Sequence, residues 1–323
     1  MEKNKRNAFL GPMFFVAAVL VVMGCTTAAG PGDTAEGALV PNSKNVDTLG
    51  LSNPTLIVFS EAAAPTVTPG ANAAVRADTN HVTVTLTAAD ADIVAQGICA
   101  DGSIIFFGDY DFNLYLNGLG LTSASGAAIN HDGTGTMNLT LVEGTENRLI
   151  DGAEGEQKAA FYSKGDFAAG GNGSLEVRGK TAHAIAAKGA FTQTGGTISV
   201  KEAVKDGINA KTISVSGGVF SAWTKGDGIQ GDEGLTITGG DFTIITAADE
   251  VKAHGIKSDG DIVIGNNDGG KSAPGFSITV YGKGSKALSA DGNINIHSGA
   301  LVLSTEGDGY WDDTADEDDK TTA

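Results

Sequence analysis

The sequence predicts an all-β fold, a right-handed single-stranded parallel β-helix with about 22 residues in each minimal coil. A short phrase recurs, Asp-Gly-Ile or a close variant, and its copies align into columns of like residues. The central apolar residues of the copies are Ile185, Ile208, Ile229, Ile256, Leu288 and Tyr310, spaced 23, 21, 27, 32 and 22 residues apart. This period is too short for a propeller blade or a helical repeat, and the leucine ladder of a leucine-rich repeat is missing.

Side chains within each copy alternate with the two-residue period of a β-strand, so that Ile208 points inward and Asn209 points outward. Beyond a Gly-Gly corner a second apolar strand follows. The first inward column holds Ile98, Ile129, Phe161, Ile185, Ile208, Ile229, Ile256 and Leu288, and the second holds Ile198, Phe220, Phe242, Phe276 and Leu301. Glycine suits the corners because tight bends need backbone angles that a Cβ resists. Stacking such coils roughly 4.8 Å apart buries a continuous core.

Residues 1–24 have the pattern of a bacterial lipoprotein signal peptide. Three basic residues precede an apolar run over residues 8–23, which is short for a membrane span. The run ends in Val-Met-Gly-Cys25, which resembles the lipobox, and this resemblance implies cleavage before Cys25 and acylation of that residue. An ordinary secretory signal with a chance cysteine is the alternative. We therefore expect a protein of the bacterial envelope that is held at the membrane by its lipid alone.

The rest of the chain divides into three predicted segments. Residues 25–52 are rich in Ala, Gly, Thr, Pro and Asn, which is typical of a flexible tether. Residues 53–97 contain alternating strands and are expected to build or cap the N-terminal end, because an open coil edge invites aggregation. Residues 98–323 are predicted to form the β-helix. A last copy of the phrase opens at Asp308 and then stops, which favours a fragment or an uncapped final coil.

Composition limits the possible partners. The 323 residues include 39 acidic and 21 basic side chains, a net charge of −18. This negative field argues against nucleic acid and against unassisted binding of acidic polymers. The 47 glycines suggest disorder, but 41% hydrophobic content arranged in periodic strands argues against it. Cys99 is the only cysteine after Cys25, so no disulfide framework is expected.

A second phrase, Leu-Thr-Leu-Val-Glu-Gly-Thr-Glu-Asn-Arg-Leu-Ile-Asp-Gly, occupies residues 139–152. Together with Gly-Ala-Ala-Ile at residues 126–129 and the repeated phrases, it resembles secreted bacterial carbohydrate-binding proteins that have a calcium-binding, pectate-lyase-like β-helix. The likeness extends over roughly residues 75–323. It implies polysaccharide binding without cleavage, with calcium as a structural ion.

Carboxylates recur two residues before and three residues after the apolar centre of the phrase. Stacked about 5 Å apart, two carboxylates repel by roughly 3 kcal/mol at an effective dielectric constant of about 20. Water, neighbouring lysines or a cation can relieve this repulsion, and calcium takes about six to eight oxygen ligands. The predicted calcium ligands are Asp206 and Asp227 in the first column and Asp232, Asp259 and Asp291 in the second. The alternative is that Asp-Gly is simply favourable turn chemistry.

Sugar binding needs exposed aromatic rings that stack on sugar faces. The chain has few aromatic residues, and we predict Trp223, Tyr281, Tyr310 and Trp311 as sugar contacts. Trp223 and Tyr281 suit a place in the core equally well, so both interpretations stay open at this point.

No residue is predicted to be catalytic. A calcium-dependent lyase needs a basic residue beside its metal, and neither Arg148 nor Arg178 falls in a carboxylate column. The five histidines have no metal-binding spacing, and no Ser-His-Asp set or phosphate loop is present. These observations and what the family resemblance implies together favour a lipid-anchored, calcium-stabilised, non-catalytic protein that binds cell-wall or plant-type polysaccharide. A calcium-dependent polysaccharide lyase is the second hypothesis, and a structural surface protein or adhesin is the third.

Overall fold

The computed structural model describes residues 42–152, 158–247, 252–266 and 273–309, which form an all-β solenoid of about eight turns. One 3-10 helix, Val46–Leu49, precedes the strands. Within the described ranges no helix is long and apolar enough to cross a membrane. The strands in chain order are β1 (Thr55–Phe59), β2 (Thr66–Thr68), β3 (Ala73–Asp78), β4 (His81–Leu86), β5 (Ala91–Cys99), β6 (Ser103–Phe107), β7 (Phe112–Thr122), β8 (Ile129–His131), β9 (Met137–Leu141), β10 (Glu146–Ile150), β11 (Ala159–Ser163), β12 (Phe167–Gly171), β13 (Ser174–Gly179), β14 (His183–Gln193), β15 (Thr197–Ala203), β16 (Ile208–Val215), β17 (Val219–Thr224), β18 (Ile229–Ile237), β19 (Asp241–Thr246), β20 (Ile256–Ser258), β21 (Asp261–Ile264), β22 (Gly275–Val280), β23 (Leu288–Ala290), β24 (Ile294–Ile296) and β25 (Ala300–Thr305).

Most strands stack in three parallel rows, sheets A, B and C, which each coil of the chain visits in that order. Sheet A contains β4, β6, β8, β11, the first parts of β14, β16 and β18, then β20 and β23. Sheet B contains the first parts of β5 and β7, then β9, β12, the second parts of β14, β16 and β18, β21 and β24. Sheet C contains the ends of β5 and β7, then β10, β13, β15, β17, β19, β22 and β25. The predicted parallel β-helix is confirmed.

The register aligns the predicted apolar columns from Ile129 onward. Sheet A aligns Ile129, Phe161, Ile185, Ile208, Ile229, Ile256 and Leu288 coil by coil. Sheet C aligns Ile198, Phe220, Phe242, Phe276 and Leu301. All of these side chains are buried except the two leucines, which lie in the last described coil. The ring of Phe242 stacks on that of Phe276, with 4.8 Å between centroids. The core is therefore a set of vertical rows of like side chains.

One predicted member of the first column is wrong. Ile98 lies at the end of β5 in sheet C, and Ile104 is the residue that aligns with Ile129 in sheet A. The chain turns the corner between sheets B and C at Gly97, where φ is +90° and the register with β7 shifts. Ala91, Ile93, Ala95 and Cys99 all point inward, so the alternation of β5 continues through this corner and leaves Ile98 partly exposed.

Parallel stacking begins upstream of the predicted boundary at residue 98. β1 pairs in parallel with β5, and β4 pairs in parallel with β6, so residues 53–97 already contribute to the solenoid. β2 and β3 are antiparallel to β1 and β4, and they cover the N-terminal edges of those two strands. The edges would otherwise offer unpaired backbone groups to other chains.

The C-terminal end of the predicted tether, residues 25–52, is bound to the solenoid. The side-chain amide of Asn42 donates to the carbonyl of Gly144 at 3.0 Å. The buried Asn117 side chain accepts from the backbone N–H of Lys44 at 2.8 Å and donates to the carbonyl of the same residue at 2.9 Å. Residues 42–44 are therefore held against the corner where the chain passes from sheet B to sheet C.

The recurring glycines serve two physical purposes. In the Gly-Gly corner between sheets B and C, the second glycine has a positive φ, +90° at Gly218 and +96° at Gly240, which L side chains rarely adopt. The glycine of the Asp-Gly-Ile phrase instead lets neighbouring coils approach closely. A Cβ on Gly228 would lie 2.5 Å from the carbonyl oxygen of Gly255 and would clash with Ile244. This second purpose explains why glycine precedes the buried isoleucine.

Candidate functional site

Two adjoining cavities open on the outer face of sheet A, with volumes of about 410 Å³ and about 310 Å³. Lys158 and Tyr162 line both cavities, and we call the combined depression the Tyr162 groove. The larger cavity is also lined by Ser103, Ile105, Ser125, Gly126, Ala127, Asn130 and Asp132. The smaller cavity is also lined by Ala182, His183, Ala186, Ala187, Lys188, Lys205 and Asn209.

The alternation of β11 places Tyr162 on the floor of the groove. Its neighbours Phe161 and Ser163 are fully buried, so the Tyr162 side chain points outward from sheet A. The outward positions aligned along the floor are Ile105, Asn130, Tyr162, Ala186 and Asn209. Five coils at about 4.8 Å spacing make the floor roughly 19 Å long, which suits an extended ligand. The small side chain of Ala186 leaves space beside the aromatic ring.

The floor offers the two kinds of group that sugars need. A tyrosine ring can cover the apolar face of a pyranose, and amide side chains can hydrogen-bond to its hydroxyls in both directions. Burial raises the pKa of the Tyr162 hydroxyl, and the negative charge of Asp132 raises that pKa further. The hydroxyl therefore stays protonated at neutral pH and can donate a hydrogen bond.

Three lysines line the smaller cavity, Lys158, Lys188 and Lys205. Among the described residues none of their ammonium groups has a carboxylate within 4.0 Å. Other lysines along sheet A do pair: Lys164 lies 3.4 Å from Asp132, Lys211 3.3 Å from Glu233 and Lys257 3.6 Å from Asp259. The groove therefore concentrates positive charge on a chain whose net charge is −18.

His183 lies at the edge of the groove beside Asp206. Its Nδ1 atom is 3.1 Å from Oδ2 of Asp206 and 3.3 Å from the backbone nitrogen of the same residue. When protonated at Nδ1 the ring can donate to the carboxylate, and when unprotonated there it can accept the backbone N–H. Both protonation states of the imidazole therefore have a partner in Asp206.

The same contact repeats along the axis and forms what we call the corner ladder, namely His183, Asp206, Asp227 and His254. The side chain of each member accepts the backbone N–H of the equivalent residue one coil further on. Oδ1 of Asp206 accepts from Asp227 at 2.9 Å, Oδ1 of Asp227 accepts from His254 at 2.6 Å, and Nδ1 of His254 accepts from Lys286 at 2.9 Å. The aspartate of the Asp-Gly-Ile phrase thus ties successive coils together at the corner between sheets C and A.

Burial of the corner ladder changes the protonation of its members. Asp227 and His254 are each 7% exposed. Burial raises the pKa of Asp227 to about 7, opposed by its hydrogen bond from His254 and reinforced by the charge of Asp206. Burial lowers the pKa of His254 to about 4, and the nearby lysine charges lower it further. In the core of sheet A, burial also lowers the pKa of His131 to about 4.

We expect the contribution of these three groups to the free energy of unfolding to be greatest near pH 6.5. The raised pKa of Asp227 gives stability that is present below pH 3.8 and lost as the pH rises to about 7. The lowered pKa values of His131 and His254 give stability that is present above pH 6.5 and lost as the pH falls to about 4. Between about pH 4 and pH 6.5, the stability gained from the two histidines as the pH rises exceeds the stability lost from Asp227. Above pH 6.5 only the loss from Asp227 remains.

The variant Asp227→Asn isolates one of these groups, because its side-chain oxygen can still accept from His254. Urea unfolding of both proteins at pH values of about 5, 6.5 and 8 checks the prediction. As the pH rises to about 7, the free energy of unfolding of the variant should increase relative to that of the wild type by about 1 kcal/mol per pH unit. A stability difference that does not change with pH would contradict it.

Comparison with known proteins identifies the family. A family model described as carbohydrate-binding domain-containing protein matches residues 78–315, a range that includes β4 to β25 and the whole Tyr162 groove. The chain belongs to the carbohydrate-binding domain-containing proteins. The resemblance that the sequence suggested, to carbohydrate-binding proteins with a pectate-lyase-like β-helix, is thereby confirmed. Comparison with curated proteins found no match.

A solved structure shares the fold of this carbohydrate-binding domain-containing protein. It is described as the polysaccharide lyase-like protein from C. thermocellum, gadolinium derivative. The likeness covers 78% of this chain and 99% of the other, with a TM-score of 0.64 and 22% sequence identity. At this identity the likeness shows the shared solenoid and does not transfer an activity.

Two of the predicted sugar contacts of this carbohydrate-binding domain-containing protein lie outside the groove, on sheet C. Trp223 is 41% exposed, and Tyr281, directly after β22, is 44% exposed, so neither fills the core. Ile245, 38% exposed, aligns with Trp223 on the strand between them. This apolar strip stays a predicted sugar contact. The predicted residues Tyr310, Trp311 and Cys25 lie outside the described residues.

The predicted calcium ligands occupy two corners of the solenoid. Asp206 and Asp227 are buried in the corner ladder, where their Oδ1 atoms accept backbone N–H groups. Asp232, Asp259 and Asp291 are exposed between sheets A and B, directly after three aligned residues of sheet A. Burial and the charge of Asp259 raise the pKa of Asp232. In the described part of the chain no three His, Cys, Asp or Glu side chains are placed to hold one ion. Calcium binding stays a prediction.

Sequence reasoning missed Tyr162 and the three groove lysines as functional residues. The outward-facing residues of sheet A align coil by coil in the same way as the inward-facing ones. The residue after each apolar centre gives the row Asn130, Tyr162, Ala186, Asn209, Gln230, Lys257 and Ser289. That row places one aromatic ring among amides and a small residue, which is a recognisable signal for a sugar-binding surface.

Proposed function

We propose that this chain is a non-catalytic polysaccharide-binding protein of the bacterial envelope, and that its ligand lies along the Tyr162 groove. The observation that carries the proposal is the floor of that groove, where one aromatic ring lies in register with two asparagines over five coils. Membership of a carbohydrate-binding family supports the ligand class. The length of the floor favours several consecutive sugar units.

A panel of insoluble and soluble glycans tests this function. The panel includes neutral and acidic plant-type and bacterial cell-wall polysaccharides, and the readouts are pull-down and titration calorimetry. We expect saturable binding to at least one polymer and no binding of its monosaccharide at the same concentration, because a single sugar contacts only one part of the floor. Absence of binding across the panel would support a structural surface protein or adhesin instead.

A polysaccharide lyase is the second candidate function. The observation in its favour is His183, which lines the groove and has Asp206 as a partner for its Nδ1 atom. Such an imidazole is suited to remove the proton beside a uronate carboxylate, while the leaving oxygen takes a proton from a neighbouring acid. Under the first proposal, no unsaturated product absorbance appears during incubation with polyuronates. Absorbance that His183→Asn abolishes would favour the lyase.

The lipid anchor at Cys25 belongs to this proposal. Removal of the thiol leaves no site for diacylglycerol, so Cys25→Ala is expected to move the protein from the detergent phase to the aqueous phase in a phase-partition experiment. Cys99→Ala is the matched control, since Cys99 is buried in the solenoid. Equal partitioning of wild type and Cys25→Ala would contradict lipidation and favour an ordinary secretory signal.

Calcium is proposed as a structural ion at the predicted carboxylates. At about 100 times its dissociation constant, a ligand of the folded state adds about 2.7 kcal/mol of stability. For a chain of this size we therefore expect chelation to lower the melting temperature by roughly 5–10 °C. Thermal unfolding with calcium and with EDTA measures this shift, and magnesium at the same concentration is the control. A melting temperature that chelator leaves unchanged would remove the metal from the proposal.

A further inference from the structure

We propose that residues 42–44, which we call the clasp, transmit a pulling force from the lipid anchor into the solenoid at the corner between sheets B and C. A pull between the membrane and a bound polymer then crosses the coils opposite the Tyr162 groove and does not act on the terminal strand β1. The inference rests on the proposed function, which supplies the lipid at Cys25 and the polymer in the groove.

The first observation is that hydrogen bonds hold the clasp in both directions. The Asn42 side chain donates to the carbonyl of Gly144 at 3.0 Å and accepts from the backbone N–H of Glu146 at 3.0 Å. The Asn117 side chain accepts from the N–H of Lys44 at 2.8 Å and donates to the carbonyl of Lys44 at 2.9 Å. Such paired bonds fix the direction of the chain as well as its position.

The second observation is that the corner is shaped to receive this segment. Asn117 is fully buried, and its amide also donates to the side-chain oxygen of Gln96 at 2.8 Å. If the clasp left, the Asn117 oxygen would lose the N–H of Lys44, and a buried polar group without a partner is costly. Next to it Gly118 has a φ of +74°, and a Cβ there would lie 2.8 Å from the backbone nitrogen of Ser43. The corner therefore has both space and a buried partner for the clasp.

The third observation is the position of the clasp relative to the groove. Each coil passes through sheets A, B and C in turn, so the corner between sheets B and C does not border sheet A. Gly144 and Glu146 belong to the coil that contains β8, β9 and β10. In the same coil β8 carries Asn130, which lines the groove. A force between the lipid and a bound polymer therefore enters and leaves on opposite sides of one coil.

The clasp changes which hydrogen bonds resist the force. Without it the force would reach the solenoid at Thr55, where β1 begins. β1 pairs in parallel with β5 and on its other edge with the short antiparallel strand β2. A pull on the end of a strand breaks its hydrogen bonds one after another, whereas the bonds of Asn42 and Asn117 resist together. The clasp therefore protects the N-terminal coils, which include part of the groove.

Optical tweezers test the inference on the full chain, with one handle on the thiol of Cys25 and the other at the C-terminus. Protein expressed without export keeps Cys25 free of acyl chains, and the buried Cys99 does not compete for the handle. Opening of the clasp frees residues 42–54, which extend to roughly 45 Å at most. We expect the wild type to show a step within this length first, before the longer steps of unfolding coils.

Variants of one residue separate the backbone contact from the side chain. Lys44→Pro removes the N–H that Asn117 accepts, and Asn42→Ala removes both contacts of the other side chain. The combined variant Asn42→Ala/Lys44→Pro should lose the early step, and its first coil should unfold at a lower force than in the wild type. Lys44→Ala is the matched control, because it keeps both backbone bonds to Asn117 and should retain the step. Circular dichroism shows whether each variant is folded.

The outcomes separate this inference from the proposed function. A wild-type protein without the early step would overturn the clasp, and so would an unchanged early step in the folded combined variant. Neither result depends on lipid or on polysaccharide. Wild-type protein that does not enter the detergent phase, or that binds no glycan, would instead overturn the proposed function on which the role of the clasp rests, even with the early step present.

Discussion

Replacing Tyr162 with alanine is expected to lower the affinity for the bound polysaccharide by at least about tenfold. The ring lies on the groove floor between Asn130 and Ala186, where it can cover the apolar face of one sugar unit. Removal of the ring exposes the sugar face and loses the burial of apolar area at about 25 cal/mol per Å², and about 1.4 kcal/mol corresponds to a tenfold change. Titration calorimetry with the polymer found in the glycan panel measures the effect.

The matched control for this prediction is Tyr110→Ala. Tyr110 is 45% exposed and does not line the groove, so its loss should leave the affinity unchanged. Circular dichroism of both variants shows whether the solenoid is intact. A folded Tyr162→Ala protein with wild-type affinity would place the binding surface elsewhere, and the double variant Trp223→Ala/Tyr281→Ala then tests the strip on sheet C.

Replacing Phe242 with alanine is expected to lower the free energy of unfolding by about 3–5 kcal/mol. Phe242 is 3% exposed, and its ring lies between those of Phe220 and Phe276, at centroid distances of 6.3 Å and 4.8 Å. Neighbouring coils cannot move together to fill the space, because their backbone hydrogen bonds fix the spacing. Removal of the ring therefore leaves a cavity in the middle of the row. Urea unfolding followed by circular dichroism measures the loss.

Phe107→Ala is the control for the core prediction, because it removes the same side chain from the surface. Phe107 is 40% exposed at the end of β6, and its truncation should cost less than about 1 kcal/mol. Similar losses for the two variants would mean that the aromatic row is not a main source of stability. The coils of a solenoid can unfold separately, which changes the slope of the transition as well as its midpoint. Both values should therefore be measured for each variant.

The inward rows of the solenoid could be predicted because a strand has a period of two and the corners recur. Ile185, Ile208 and Ile229 keep the same distance from the Asp-Gly pair or its equivalent, and no insertion separates them from their corners. Ile98 was placed wrongly because its phrase lies in sheet C and not in sheet A, and the odd-numbered residues of β5 stay inward through the corner at Gly97, so that Cys99 takes the inward position.

The site could be predicted only in part. The adjacency of Asp206 and Asp227 follows from the repeat, but the backbone N–H groups that their oxygens accept depend on how the corner bends. The contact of Asn42 with Gly144 joins residues 102 positions apart, and nothing in the local pattern indicates it. That no carboxylate of the described residues lies within 4.0 Å of Lys188 likewise depends on where its neighbours' long side chains extend. Periodicity places backbones, whereas these contacts depend on side-chain conformations.

Oxidative footprinting of aromatic side chains, with and without saturating polysaccharide, tests the location of the site most directly. The exposed ring of Tyr110 serves as an internal reference for Tyr162 in the same sample, and the exposed rings of Trp223 and Tyr281 report on the strip on sheet C. We expect the ligand to slow the oxidation of Tyr162 severalfold and to leave that of Tyr110 unchanged. Protection of Trp223 and Tyr281 with no change at Tyr162 would contradict the groove as the polysaccharide-binding site.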